Sequence, residues 1–113
     1  MKKSMRKTIA DLVRIAEEND WTVSHDGPEY NFRIYSDYGQ DFNFALTADT
    51  AEELVQKLGE YINGFDVSQE AYSWLDSSGH GTNGAPYEMI DVYRDMESCL
   101  ESCVELLHHW KNN

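Results

Sequence analysis

Between residues 89 and 110 the apolar side chains fall four, then three, positions apart: Met89, Tyr93, Met96, Leu100, Cys103, Leu107, Trp110. An α-helix turns once in about 3.6 residues, so this alternation draws one continuous stripe along a helix, and no strand reproduces it. Opposite the stripe stand Glu88, Asp91, Asp95, Ser98, Ser102 and Glu105, spaced three and four apart, with Glu97 and Glu101 widening the acidic side. The pattern predicts a helix over roughly 86–111, entered at Pro86, whose missing N–H suits a first turn. One face is greasy and belongs on a core; the other is a row of carboxylates for water or a partner.

The preceding chain supplies that core. Met5, Ile9, Leu12, Val13 and Ala16 recur at helical spacing and predict an amphipathic helix over roughly 4–19. Trp21 and Val23, then Tyr30, Phe32 and Ile34, then Phe42, Phe44 and Leu46 alternate with polar residues across the turns Asp26-Gly27-Pro28-Glu29 and Asp37-Tyr38-Gly39-Gln40. That is the pattern of a three-stranded antiparallel meander with one buried face. Asp49 with Glu52, or Thr50 with Glu53, fits a capping box for a helix carrying Leu54, Val55, Leu58, Tyr61 and Ile62, and Gly64 suits its end. Asp66 or Ser68 caps a short helix through Val67, Ala71, Trp74 and Leu75. Residues 77–86 read as a flexible connection. The expected fold is α+β, in the order α-β-β-β-α-α-α, as a single domain over 1–113 with residues 1–4 as a frayed basic tail.

Charge sets the functional reading. Up to residue 14 there are five bases and one acid; from residue 15 onward there are twenty acids and four bases, and the whole chain carries a net charge of −12. A surface of that sign repels nucleic acid and anionic membranes and attracts basic protein grooves. Lys2, Lys3, Arg6 and Lys7 oppose the macrodipole of the helix they begin, so they read as a tail or as partners for an acidic patch. No run of eighteen apolar residues is present, and Arg6, Lys7, Asp11 and Arg14 break any apolar stretch after Met1, so neither a membrane span nor a secretion signal is read. Two cysteines four apart suit reduced thiols in a cytosol.

Three motifs invite chemistry. Gly79-His80-Gly81-Thr82-Asn83-Gly84 spells G-x-G-x-x-G, but a dinucleotide site needs a preceding strand, and Glu88 and Asp91 would repel a pyrophosphate at the next helix start. Cys99 and Cys103, with His108 and His109 a turn later, have a spacing that could share a metal. Both lie beside or within the apolar stripe, where cysteine packs as a small hydrophobe. None of His25, His80, His108 and His109 stands at a nucleophile spacing, and G-x-S-x-G is absent. The expectation is therefore no enzyme, no cofactor and no metal.

The stretch Phe65-Asp66-Val67-Ser68-Gln69-Glu70-Ala71-Tyr72-Ser73-Trp74-Leu75-Asp76, with Gly79-His80-Gly81, Asn83-Gly84-Ala85-Pro86 and the acidic final helix, resembles small acidic accessory proteins encoded on phages and conjugative elements of bacteria. Some acidic proteins from such elements are antirestriction or anti-CRISPR inhibitors that occupy DNA-binding surfaces as DNA mimics. The resemblance covers about the last half of the chain and assigns no role to any residue. It implies a mobile-element inhibitor acting in the cytoplasm of a bacterial host.

Together, charge and resemblance give the expectation of a non-enzymatic inhibitor of a basic nucleic-acid-binding defence protein. Glu88, Asp91, Asp95, Glu97, Glu101 and Glu105 would bind that partner in place of phosphates, without direct contact to nucleic acid. The alternative is a small regulatory module that binds another protein without mimicking DNA.

Overall fold

In the computed structural model, which describes residues 7–37, 39–73 and 89–112 (for residue 89 the backbone alone), the alternation becomes a sheet of order β1-β2-β3. Its strands are β1 (Thr22–Asp26), β2 (Glu29–Tyr35) and β3 (Asp41–Thr47), both pairs antiparallel. The register sets Val23 opposite Phe32 and Phe32 opposite Phe44, with Ile34 on Phe42 and Tyr30 on Leu46. Period two then puts all of these on one face, and leaves Thr22, Arg33, Asn43 and Tyr35 on the other, exposed face. A two-residue loop, Gly27-Pro28, joins β1 to β2. Its first position has φ 59°, a left-handed value that glycine adopts without strain.

Four helices complete the fold: α1 (Ile9–Glu18), α2 (Ala51–Asn63), α3 (Val67–Ser73) and α4 (Met89–Asn112). The chain is thus α+β, in the order α-β-β-β-α-α-α. Helix α1 packs on β1 and α2 on β3, while α4 packs against α1, α2 and α3. Phe32 lies at the centre of the core. It stacks on Phe44 at 5.4 Å between ring centroids and meets Trp110 edge-on at 5.6 Å. Trp21 closes edge-on against Phe44 at 5.5 Å, and Tyr61 of α2 stacks on Phe44 at 4.6 Å. Offset and edge-on pairs of this kind add to the stabilisation from burial alone. Among the described residues no helix is long and apolar enough to cross a membrane.

Helix starts are set by local hydrogen bonds. The first helix begins at Ile9, later than expected, because Thr8 caps it: Thr8 Oγ1 accepts from Asp11 N at 3.1 Å, and the Asp11 carboxylate accepts from Thr8 N at 2.9 Å. These two bonds hold the Asp11 carboxyl below the usual aspartate range. For α2 the cap is Thr50, whose Oγ1 accepts from Glu53 N at 3.1 Å, while Glu53 Oε1 accepts from Asp49 N at 2.7 Å. For α3 it is Asp66, which accepts from Gln69 N at 3.1 Å. Trp74, Leu75 and Pro86 lie outside the described residues.

The inner seam of α4 differs from the expected stripe. Its buried residues are Val92, Met96, Cys99, Cys103, Leu106 and Trp110, again spaced four and three apart. Met96, Cys103 and Trp110 belong to both series, whereas Tyr93, Leu100 and Leu107 sit half-buried at its margin. The helix is therefore rotated toward its serine and carboxylate side. Asp95 and Ser98 become the buried polar residues of the chain's described part. Trp110 fixes the rotation at the C-terminal end: its indole N–H donates to the Leu12 carbonyl at 3.0 Å, tying α4 to α1.

Candidate partner-binding surface

The rotation of α4 sorts its carboxylates. Asp95 is 1 % exposed and turned toward the β2–β3 connection. That connection is a tight turn in which Ser36 N donates to Gln40 O at 2.8 Å and Gly39 N to Ser36 O at 2.9 Å. Ser36 Oγ accepts from Gln40 N at 3.0 Å and donates to Asp95 Oδ2 at 2.9 Å. Ser98 Oγ, one turn on, donates to the Asp95 carbonyl at 2.7 Å. The expectation that Asp95 faces a partner is thus corrected: it fastens the turn to the helix. A buried carboxylate is tolerable only where hydroxyl or amide donors replace water, and the turn supplies one.

The other expected site residues divide three ways. Glu97, Glu101 and Glu105 are exposed, and Asp91 is half-buried. Glu88 lies outside the described residues, as do the Gly79–Gly84 motif, Tyr38, and Lys2, Lys3 and Arg6. The acidic face therefore narrows to one row, Glu97–Glu101–Glu105, each four residues after the last. At about 1.5 Å of rise per residue the charges stand about 6 Å apart along the helix axis. One DNA strand carries a charge about every 3.4 Å of axis, so this row alone has roughly half that density.

Additional acids come from a place that spacing alone did not indicate. A cavity of about 610 Å³ opens between the end of α1, the sheet and α4, and Asp20, Asp37 and Glu105 all line it. Asp20 follows α1 with φ 76°, a left-handed value that aspartate takes more readily than most residues. Asp37 comes from the β2–β3 turn that Asp95 holds in place. Trp21, Ile34 and Leu106 give the cavity an apolar floor, while Tyr35, His109, Asn19 and Ser102 complete the wall. Among the described residues, Asp20, Asp37, Glu97, Glu101 and Glu105 form no ion pair. The bases nearest in sequence are engaged elsewhere. Arg14 pairs with Asp11 at 3.4 Å and Glu18 at 3.6 Å; Arg33 pairs with Asp41 at 3.8 Å and lies over the Tyr35 ring at 5.9 Å.

The acids of α2, expected to thicken the row, have other partners. Glu53 closes the cap, and Glu60 accepts from the Gln56 amide at 3.2 Å. Glu52 lies with Lys7 and Lys111 around a second cavity of about 310 Å³, walled by Leu12, Val55 and Trp110. That side of the molecule is mixed in charge.

Cys99 and Cys103 are both buried as free thiols. Burial pushes each up to about 12; for Cys99 the charges of Asp95 and Asp37 add to that shift. A thiol so raised is a poor nucleophile at neutral pH. Among the described residues no group of three or more His, Cys, Asp and Glu is placed to hold a metal ion.

No family model matches the chain, and no solved structure matches it. Over 85 residues it is 32 % identical to "Probable arabinogalactan endo-beta-1,4-galactanase A" of Aspergillus tubingensis. The match covers 72 % of this chain and 23 % of that protein, so the chain spans less than a quarter of the relative's length.

Proposed function

We propose that the chain is a non-enzymatic inhibitor that occupies the nucleic-acid-binding groove of a basic defence protein. The observation that carries this reading is the exposed row Glu97–Glu101–Glu105, which runs through Glu105 into the cavity of Asp20 and Asp37 with no base paired to any of the five. Groups that must be solvated or engaged by a partner are left free, while other acids, such as Asp11 and Asp95, are used within the fold. A basic groove that normally holds phosphates meets complementary charge there, which speeds encounter and fixes orientation. The similarity to part of a galactanase carries neither substrate nor activity to this chain, since it covers so little of that enzyme.

The test is DNA cleavage by a purified restriction or CRISPR nuclease from a bacterial host, with increasing amounts of the protein. Wild type should protect the DNA, excess duplex should relieve that protection, and added salt should weaken it, because attraction across a screened surface fades beyond about 8 Å at physiological ionic strength. Glu97→Lys/Glu101→Lys/Glu105→Lys should lose protection. Full protection by that variant would sink the mimicry reading and favour a protein-interaction module that ignores charge. The isolated protein should not retard duplex DNA at roughly 0.15 M salt.

A further inference from the structure

The cavity beneath Glu105 has more chemistry than a charged row needs. Three carboxylates converge on it from three separate elements: Asp20 after α1, Asp37 between β2 and β3, and Glu105 on α4. Their grouping leaves no cluster suited to a metal ion. At about 610 Å³ the space falls within the range of pockets that hold small ligands, far beyond one bare cation. Its floor is apolar, from Trp21, Ile34 and Leu106, and the ring of Tyr35, 66 % exposed, stands at the wall. An occupant must therefore be cationic at its tip and apolar along its body.

We propose that this cavity is a receptor for an arginine side chain of the basic partner. The proposal rests on the basic-partner reading above and names the contact that partner makes. A guanidinium presents five donors in a plane and is weakly hydrated on its faces, so it can lie on an apolar floor while donating to carboxylates around its rim. Its methylene stem covers Leu106 and Ile34 as it enters. An ammonium, compact and strongly hydrated, satisfies the rim but not the floor. The protein's own arginines on the flanking elements, Arg14 and Arg33, are tied to other acids, so the cavity's carboxylates remain for an incoming side chain.

The test is an amide-resolved NMR titration of the whole chain with the tripeptide acetyl-Gly-Arg-Gly-amide. Its controls are the citrulline tripeptide, which has the same shape without the charge, the lysine tripeptide and a galacto-oligosaccharide. The arginine peptide should give saturable shifts at residues 19–21, 35–37 and 102–109, with weaker binding for lysine and none for citrulline. Asp20→Asn/Asp37→Asn should keep the wild-type spectrum elsewhere and bind arginine more weakly, by about two- to five-fold per carboxylate removed. Equal shifts from citrulline, or saturable shifts from the oligosaccharide at these residues, overturn the proposal. Shifts confined to Glu97 and Glu101 overturn the cavity while leaving the basic-partner reading standing. Loss of nuclease protection in Glu97→Lys/Glu101→Lys/Glu105→Lys, with arginine still shifting the cavity amides in wild type, keeps both. Nuclease protection unchanged in Asp20→Asn/Asp37→Asn overturns the cavity alone.

Discussion

The inner seam and the outer row of α4 are written in nearly the same residues, yet they do opposite work. Both contain a carboxylate four or seven positions from another, and both run at helical spacing. Asp95 has been drawn inside, where Ser36 and Ser98 surround it; Glu97, Glu101 and Glu105 stand outside with no ion-pair partner. What separates them is the neighbouring element. The β2–β3 turn comes down on one side of the helix and brings a hydroxyl, and nothing comes down on the other. Acidity on a helix thus says little about use until the packing of adjacent elements is known.

The contrast is sharpest at the end of the seam. Trp110→Ala should lower the unfolding free energy by about 3–5 kcal/mol, since it empties a fully buried site and strips the Leu12 carbonyl of its donor. A urea midpoint left unchanged would show that α4 is held by other means.

Asp95→Ala comes next. Removing it leaves the Ser36 hydroxyl without its acceptor, and hydrogen bonds to charged groups contribute about 1.5–3 kcal/mol. Ser36→Ala should recover part of this loss, and the double variant should be less damaged than the sum of the singles. Strict additivity would mean that the two side chains do not act together.

The expectation that Asp95 joins a solvated face shows where reading the sequence stops. Strand pairing, the helix order and the caps at Thr50 and Asp66 were legible because each depends on residues close in sequence: period-two alternation, an acid or hydroxyl before an apolar run. The rotation of α4 was not. Two overlapping series, one through Tyr93, Leu100 and Leu107 and one through Val92, Cys99 and Leu106, share Met96, Cys103 and Trp110, and both contain apolar residues at the right intervals. Choosing between them requires Trp110 to find Leu12 and Ser36 to find Asp95, contacts that span most of the chain. The cavity was hidden for the same reason. Asp20, Asp37 and Glu105 have no mutual spacing that suggests a site; only the topology gathers them.

A smaller effect separates seam from row by pH. Folding holds the Cys99 and Cys103 thiols up to about 12 from an ordinary 9.0, chiefly by burial. An acid whose folded value is raised favours the native state while it remains protonated. Its stabilising contribution is full below about pH 9 and is lost as pH climbs toward about 12. Burial of Tyr61 raises its hydroxyl as well and works in the same direction. Urea midpoints should therefore decline above about pH 9, and Cys99→Ala/Cys103→Ala should show a shallower decline from a lower start. A profile equally steep in that variant would assign the loss to groups outside the seam.

The most direct measurement compares Glu97→Gln/Glu101→Gln/Glu105→Gln with Asp95→Asn under the same urea gradient. Like charges four apart on a helix repel by a few tenths of a kcal/mol per pair, so neutralising the row should leave the midpoint unchanged or raise it slightly. Neutralising Asp95 removes the charge that the Ser36 hydroxyl meets inside the fold, and the midpoint should fall. A fall with the triple variant and none with Asp95→Asn would contradict the division of α4 into a structural seam and a free row, and with it the surface proposed for a partner.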